Sequence, residues 1–223
     1  MSLPTLDQLA NKYNTDKGTE FSGPTKHGYT PFYEGFMLPI RHSTIRLLEI
    51  GICMEGTEGG HSVNLWLEYF DQASIFTFDI EDMSQHPSIK DNSRVQFFQG
   101  DQGNREDFSK MFEVFGNEQF DFIIEDGSHR HEHQMISFGH LFKYVKPGGF
   151  YILEDMTIPG QEVYGYRNDE TLPILEKLKN TGKIDCTHIT EEEKLYIEEN
   201  FSNLDVQIDV LGKYATSVIY KKK

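Results

Sequence analysis

Short apolar runs alternate along this chain with stretches in which apolar residues recur every three or four positions. Leu6, Leu9, Ala10 and Tyr13 have the spacing of one helix face. The next stretch, "NTDKGTEFSGPTKHGYTP", is rich in Gly, Thr and Asn and reads as loop. Thr30 and Pro31 then read as an N-cap followed by proline at the first helical position, opening a helix to about Ile40. "IRLLEIGI" is a continuous apolar run of the kind found in buried parallel strands, and it ends at Gly51. "HSVNLWLEYF" is helical, with Val63, Leu67 and Phe70 on one face. "SIFTFDIE", "RVQFFQGD" and "QFDFIIED" are three further strands, with the helix "FSKMFEVFG" between the last two. "HQMISFGHLFKYV" is helical with Met135, Phe138, Leu141, Phe142 and Val145 inward, and "GGFYILED" is a fifth strand. A helix near Leu172 to Asn180 and a solvated acidic helix, "EEEKLYIEEN", follow. Two strands around Gly212 read as a closing hairpin.

Repeated strand and helix alternation predicts an α/β fold with helices on both faces of a mostly parallel sheet. With the closing hairpin the sheet has seven strands. The expected organisation is a single domain over residues 1–223, in which residues 1–40 supply helices and a covering loop.

The chain's 223 residues include 21 basic and 36 acidic side chains, a net charge of -15 at pH 7. Such a surface repels polyanions, so neither nucleic acid nor an acidic membrane surface is an expected partner. The apolar runs are far shorter than the roughly 20 residues of a membrane span. No basic segment followed by an apolar run opens the sequence, so no secretory signal is expected. Cys53 and Cys186 are too few for a disulfide framework and read as reduced thiols of a cytoplasmic protein.

Charge matters most where it is placed. Every strand ends in an acid: Glu49, Asp79 with Glu81, Asp101, Asp126, and Glu154 with Asp155. Ligands of open α/β sheets sit outside the carboxyl ends of the strands, and a row of acids there repels itself unless cations or hydroxyls occupy the rim. The first strand-to-helix loop, "EIGICMEGTEGGHS", is rich in glycine but lacks the dinucleotide spacing and carries Glu55 and Glu58. A pyrophosphate is a poor guest beside them. A cofactor that is cationic near its reactive atom, such as S-adenosylmethionine, fits better, with Asp79 accepting from ribose hydroxyls.

The stretches "KYNTDKG", "HGYTPFYEGFMLPIR", "LLEIGI…GGHSVNLW", "FTFDIED", "FQGDQGN", "FDFIIEDGSHRHEHQ" and "VKPGGFYILEDM" cover most of residues 6 to 156 in order. Together they resemble the class I S-adenosylmethionine-dependent methyltransferases. More narrowly they resemble the macrocin and mycinamicin type sugar O-methyltransferases, related to a group described as cephalosporin hydroxylases. The resemblance implies a Rossmann-like fold in which the fourth and fifth strands are neighbours. Asp126, Glu154 and Asp155 then converge as oxygen ligands for Mg²⁺. The cofactor-binding set is Tyr29, Thr30, Glu49, Gly51, Ser62, Asp79, Asp101, Gln102 and Asp126, with Asp101 and Gln102 near the adenine.

The family pattern D-G-S-H places the general base at His129, whose ordinary pKa of about 6.5 suits the task. His133, one turn on, supports His129 or meets the acceptor, while His131 is expected to be solvated and Glu125 to be a structural or cofactor-side acid. The loop "TKHGYTP" brings His27, Tyr29 and Thr30 over the cofactor. Tyr164, Tyr166 and Arg167 are candidate sugar contacts. The expected reaction is methylation of a sugar hydroxyl in a glycoside or nucleotide sugar, in natural-product or polysaccharide biosynthesis, by a homo-oligomer. Methylation of a catechol-like diol uses the same metal logic and is the alternative. A metal-dependent hydroxylase ranks lower, because no two-histidine, one-carboxylate iron triad is evident.

Overall fold

In the computed structural model, which describes residues 3–21, 23, 26–53, 58–156, 170–209 and 212–223, the five apolar runs form strands. They are β1 (Arg46–Ile50), β2 (Ser74–Asp79), β3 (Val95–Gln99), β4 (Phe120–Glu125) and β5 (Val145–Leu153). With β6 (Phe201–Ile208) and β7 (Ala215–Lys221) they make one sheet of order β3-β2-β1-β4-β5-β7-β6. β1 to β5 pair in parallel, whereas β7 is antiparallel to both β5 and β6. The closing hairpin is therefore present, folded so that its second strand lies inside its first. The chain builds outward through β2 and β3, then returns to place β4 on the other side of β1. That switch opens a crevice at the carboxyl ends of β1 and β4, where ligands of such sheets bind.

Among the described residues, seven α-helices cover the sheet: α1 (Leu6–Lys12), α2 (Thr30–Met37), α3 (His61–Tyr69), α4 (Arg105–Phe115), α5 (His131–Leu141), α6 (Thr171–Thr181) and α7 (Glu191–Asn200). Strand side chains alternate between faces, and the core divides accordingly. Leu48, Phe76 and Ile123 face α4 to α7, while Leu47, Ile75 and Phe122 face α1 to α3. Both faces are apolar, which is why these strands read as unbroken runs. The inward set of α5 and the turn after it, Met135, Phe138, Leu141, Phe142 and Val145, is fully buried as its spacing predicted.

Two local expectations are corrected. Thr30 is the first residue of α2, not its cap; Tyr29 holds that position without a side-chain bond, and Pro31 comes second. The Thr30 hydroxyl instead donates to Asp7 at 2.7 Å, because Asp7 gathers the loop after α1 by also accepting from the Thr19 amide and hydroxyl. On α3 the buried face centres on Val63, Leu65, Trp66 and Tyr69, with Leu67 only half-buried.

The acidic stretch does form a helix, α7, and one of its acids is not merely solvated. Arg105 donates to both oxygens of Glu193, each at 2.8 Å, joining α4 to α7. Glu193 also closes the capping box of α7 with Thr190. Burial pushes its carboxyl upward, but His140 and Arg105 outweigh this and hold it down at about 2. A carboxyl held below its unfolded value stabilises the fold above about pH 4.3. That contribution is lost as pH falls toward 2. Glu193→Gln is therefore expected to cost about 1–3 kcal/mol at pH 7, with the gap from wild type narrowing below about pH 4.5. Paired melting curves across that range check it; a gap independent of pH would refute the charge-based account.

Candidate active site

The crevice between β1 and β4 depends on a residue without a side chain. Gly51 follows β1 at φ +81°, its amide donating to Phe78 O at 2.9 Å. A Cβ there would stand 2.1 Å from the Asp126 carbonyl oxygen. Beside it Asp79 ends β2 and organises the loop: one oxygen accepts from the amides of Ile52 (2.7 Å) and Cys53 (2.9 Å), the other from Glu81 (2.9 Å). A carboxylate has about four acceptor positions, so Asp79 keeps capacity for one more donor. Gln102 bridges the loops after β3 and β4, donating to Glu125 and accepting from the Ser128 amide, both at 2.6 Å. These residues enclose a cavity of about 240 Å³ whose lining includes Gly51, Asp79, Asp101, Gln102, Ser128 and His133.

Four of the expected cofactor residues thus meet at one cleft: Gly51, Asp79, Asp101 and Gln102. The others lie elsewhere. Glu49 is fully buried and accepts from the Ser62 hydroxyl at 2.9 Å, so this pair pins α3 to β1 beneath the cleft. Burial pushes the Glu49 carboxyl up to about 7 despite the opposing charge of Lys17. Glu125 is likewise a buried structural acid, pushed up by burial to about 7 and held by Gln102. Tyr29 and Thr30 are fully buried and absent from the cleft's described lining.

Adjacent to the cleft, at the ends of β4 and β5, is a charged cluster. Asp126, His129 and Asp155 each present one ligand atom, and these atoms lie within 4.8 Å of one another. Two of the three have left-handed backbone, His129 at φ +57° and Asp155 at φ +52°. Non-glycine residues adopt that conformation at a cost and persist in it where the surroundings impose it, often at functional sites. For Asp155 it follows directly upon Glu154, so the two consecutive acids diverge. The Tyr29 hydroxyl donates to Asp155 Oδ1 at 2.8 Å, and His27 Nε2 lies 3.3 Å from Oδ2. His27 stacks on Tyr29 and meets Tyr214 edge-on. Burial lowers the His27 pKa, but Asp16 and Asp155 outweigh this and raise it to about 9. The covering loop therefore closes over the acids.

Glu154 does not join that group. Its carboxylate accepts from Lys17 Nζ at 2.8 Å, and the same ammonium is paired with Asp126. Burial opposes the charge on Lys17, yet Asp126 and Glu154 raise its pKa well above the ordinary lysine value. Among the described residues, Asp126 and Asp155 meet with His129 beside them, while Glu154, the third of the expected carboxylates, is turned to Lys17. Lys17 and Asp16 were not among the expected site residues. The only signal for them is a charged pair within a loop of small polar residues; Lys17 finds Asp126 and Glu154 more than a hundred positions away, whereas Asp16 meets His27 of the same loop.

The histidines also sort differently. His133 lines the cleft and bonds the Ser128 hydroxyl at 2.9 Å, which places it beside Asp101 and Gln102 and not among the acids. His131 is buried, contrary to the solvated position expected of it. Its Nδ1 meets the Thr171 hydroxyl, which donates to Gln134, whose amide donates to the Glu154 carbonyl, each at 2.9 Å. This chain of bonds ties α5 and α6 to the end of β5, and helix periodicity alone does not reveal it. Tyr164, Tyr166 and Arg167 lie outside the described residues.

The donor set is suited to a hard cation. Ligands on one Mg²⁺ at about 2.1 Å stand at most ~4.2 Å apart, so small side-chain rotations would bring Asp126 and Asp155 onto one ion, with His129 beside it. No described helix is long and apolar enough to cross a membrane.

Strand order and crevice are those of the class I methyltransferase fold. Within that class the chain resembles the sugar O-methyltransferases of antibiotic glycosides. It is 35% identical over 155 residues to mycinamicin VI 2''-O-methyltransferase of Micromonospora griseorubida, covering 69% of this chain and 36% of that protein. It is 36% identical over 153 residues to 8-demethyl-8-(2-methoxy-alpha-L-rhamnosyl)-tetracenomycin-C 3'-O-methyltransferase of Streptomyces olivaceus, covering 68% of this chain and 36% of the relative. Among solved structures it superposes on the MycE methyltransferase of the mycinamycin biosynthetic pathway, in complex with Mg, SAH and mycinamycin VI. The TM-score is 0.77 at 28% identity, over 99% of this chain and 55% of that one. The matches thus span from 36% to 47% of the length of the curated relatives. No protein-family model matches it.

Proposed function

We propose that this chain transfers the methyl group of S-adenosylmethionine to a hydroxyl of a sugar within a glycoside, with a divalent ion such as Mg²⁺ held at Asp126, Glu154 and Asp155. The observation that carries this reading is the meeting of Asp126, His129 and Asp155 beside a cleft lined by Asp79, Asp101 and Gln102. The relatives support it, since those named above act on sugars of a macrolide and of a tetracenomycin. When bound, the cofactor supplies an electrophilic methyl group and the ion lowers the pKa of a coordinated hydroxyl. His129 Nε2 accepts the hydroxyl proton as the new bond forms. Asp126, Glu154 and Asp155 would hold the ion, Tyr29 and His27 orient Asp155, and the covering loop shields the acids from water. A homo-oligomer is part of this reading and is checked by sedimentation.

Asp79 provides a test of the cofactor cleft. Asp79→Ala is expected to weaken S-adenosylmethionine binding by about 1–3 kcal/mol, through unpaired ribose hydroxyls and a released loop. Unchanged affinity in calorimetry would remove Asp79 from the site. The function itself is tested by screening glycosides and nucleotide sugars for S-adenosylhomocysteine release, with Mg²⁺ and after exhaustive EDTA treatment. Sugar-dependent release that EDTA abolishes is the expected result. Full turnover without ions would overturn the metal role, and release with catechols alone would overturn the sugar.

A further inference from the structure

We infer that Thr171, Gln134 and His131 are positioning residues for the divalent-ion site. Their chain of hydrogen bonds fixes the peptide that joins Glu154 to Asp155, and through it both carboxylates; this rests on the metal part of the reading above. The two acids are consecutive, so the planar peptide between them is the rigid unit they share. Its orientation sets the last backbone torsion of Glu154 and the first of Asp155, and hence how each side chain leaves the main chain. Asp155 has φ +52°, a left-handed conformation that a side-chain-bearing residue keeps where its surroundings over-determine it.

The strand does not supply that constraint. The ladders of β5 end at Leu153, paired with Glu125 on one side and Ser217 on the other. The Glu154 amide still reaches β4, donating to Glu125 O at 2.9 Å. Its carbonyl has passed both ladders and is met by a side chain, Gln134 Nε2 of α5, at 2.9 Å. Gln134 and Glu154 are fully buried, so bulk water does not compete for that carbonyl, and leaving it unpaired is costly.

The direction of every bond in the chain follows from this first one. A carbonyl only accepts, so the Gln134 amide nitrogen faces Glu154 and its oxygen faces away. That oxygen lies 2.9 Å from the Thr171 hydroxyl, which therefore donates its single proton to Gln134. The hydroxyl oxygen is left to accept, so His131 Nδ1, 2.9 Å away, carries hydrogen. Each donor meets one acceptor, which makes the buried chain a fully satisfied network. Thr171 is the first residue of α6 and is fully buried. The Gln134 amide cannot turn over without breaking its bonds at both ends, so two helices hold the peptide between the acids.

Thr171→Val keeps the shape of the side chain and removes the hydroxyl. It is expected to lower Mn²⁺ affinity about tenfold or more, the range for losing a group that orients a metal ligand. Thr171→Ser keeps the hydroxyl and is expected to stay within about threefold of wild type. Leu178→Ala is the control, since Leu178 is buried on the same helix. Its loss leaves a cavity that lowers the melting temperature, while Mn²⁺ affinity should again stay within about threefold.

Calorimetry with Mn²⁺ and melting without ions, on wild type and these variants, test this. Wild-type affinity in Thr171→Val would overturn the inference. So would an equal loss in Thr171→Ser, which would assign the effect to the methyl group, or in Leu178→Ala, which would assign it to the docking of α6. If Thr171→Val fails to fold, His131→Phe decides, because it keeps the ring and drops the donor. Affinity at least about threefold below wild type supports the chain, and wild-type affinity overturns it. A wild-type protein that binds no Mn²⁺ overturns the metal reading and this role together. That failure is distinct from one in which wild type and Thr171→Val bind the ion alike.

Discussion

His129→Gly is expected to lose 10²–10⁴-fold in turnover, the range for removing a general base, while keeping its melting temperature or gaining slightly. The unusual second half of that expectation comes from the backbone. His129 sits at φ +57°, a conformation that costs a side-chain-bearing residue roughly 1–2 kcal/mol and glycine almost nothing. Greater freedom of glycine in the unfolded chain removes about 0.4–1 kcal/mol of that gain. A residue retained against its own backbone preference points to function. His129 has the exposure such a role requires: its side chain is 24% accessible, with Nε2 3.9 Å from Asp155 Oδ2. Steady-state kcat, Mn²⁺ calorimetry and melting of one variant separate three roles. A base loses kcat with ion affinity nearly intact, a principal ion ligand loses ion affinity in step with kcat, and a structural histidine loses stability. Turnover within about tenfold of wild type would strip His129 of the assignment. The measurement needs chemistry, not product release, to limit the rate.

The readable and unreadable parts of this molecule differ in the range over which the physics acts. The parallel strands were legible because burial on both faces writes an unbroken apolar run, as in "FDFIIE" of β4. The inward face of α5 was legible because helical period and burial coincide. The acids near the strand ends were legible for a related reason: an ionisable residue is costly inside an apolar run unless it is paired, so its position usually marks the rim. Which rim acid serves which partner was not. Glu49 and Asp79 end neighbouring strands, yet Glu49 turns to Ser62 inside the protein and Asp79 to the amides of the cleft. A strand-end position does not state on which side of the sheet a carboxylate will be satisfied.

The charged cluster repeats the lesson over greater distance. Nothing near Glu154 and Asp155 says that one will find a lysine and the other a tyrosine and a histidine. Those donors come from a loop with almost no apolar pattern, held through Asp7 and the backbone of Lys17. Hydrophobic periodicity carries no information about such a segment. His131 shows the limit within one helix: its buried bond to Thr171 depends on where α6 packs, which the α5 sequence does not encode.

Gly51→Ala should be the most damaging single-methyl change in the fold, and a second glycine shows why. Gly51 and Gly116 both have positive φ, +81° and +80°, so replacing either by alanine brings backbone strain of about 1–3 kcal/mol. Their surroundings differ completely. A Cβ at Gly116 meets nothing within 4 Å, whereas one at Gly51 stands 2.1 Å from the Asp126 carbonyl oxygen and 2.5 Å from Gly127 Cα. Those are backbone atoms of the neighbouring strand end, and no rotamer change can move them aside. The ends of β1 and β4 must separate, straining the bond from the Asp126 amide to Ile50 O and displacing the acid cluster. Gly116→Ala is therefore expected to cost about 1–3 kcal/mol, and Gly51→Ala more than about 4 kcal/mol, in the range diagnostic of a broken core feature. Any folded Gly51→Ala protein should also bind neither S-adenosylmethionine nor Mn²⁺ at wild-type affinity, because cleft and cluster share that strand end. Denaturant titration and calorimetry on the two variants check both statements. Equal losses at the two glycines would mean that strain alone is at work and that the close approach of β1 to β4 does not hold the site together.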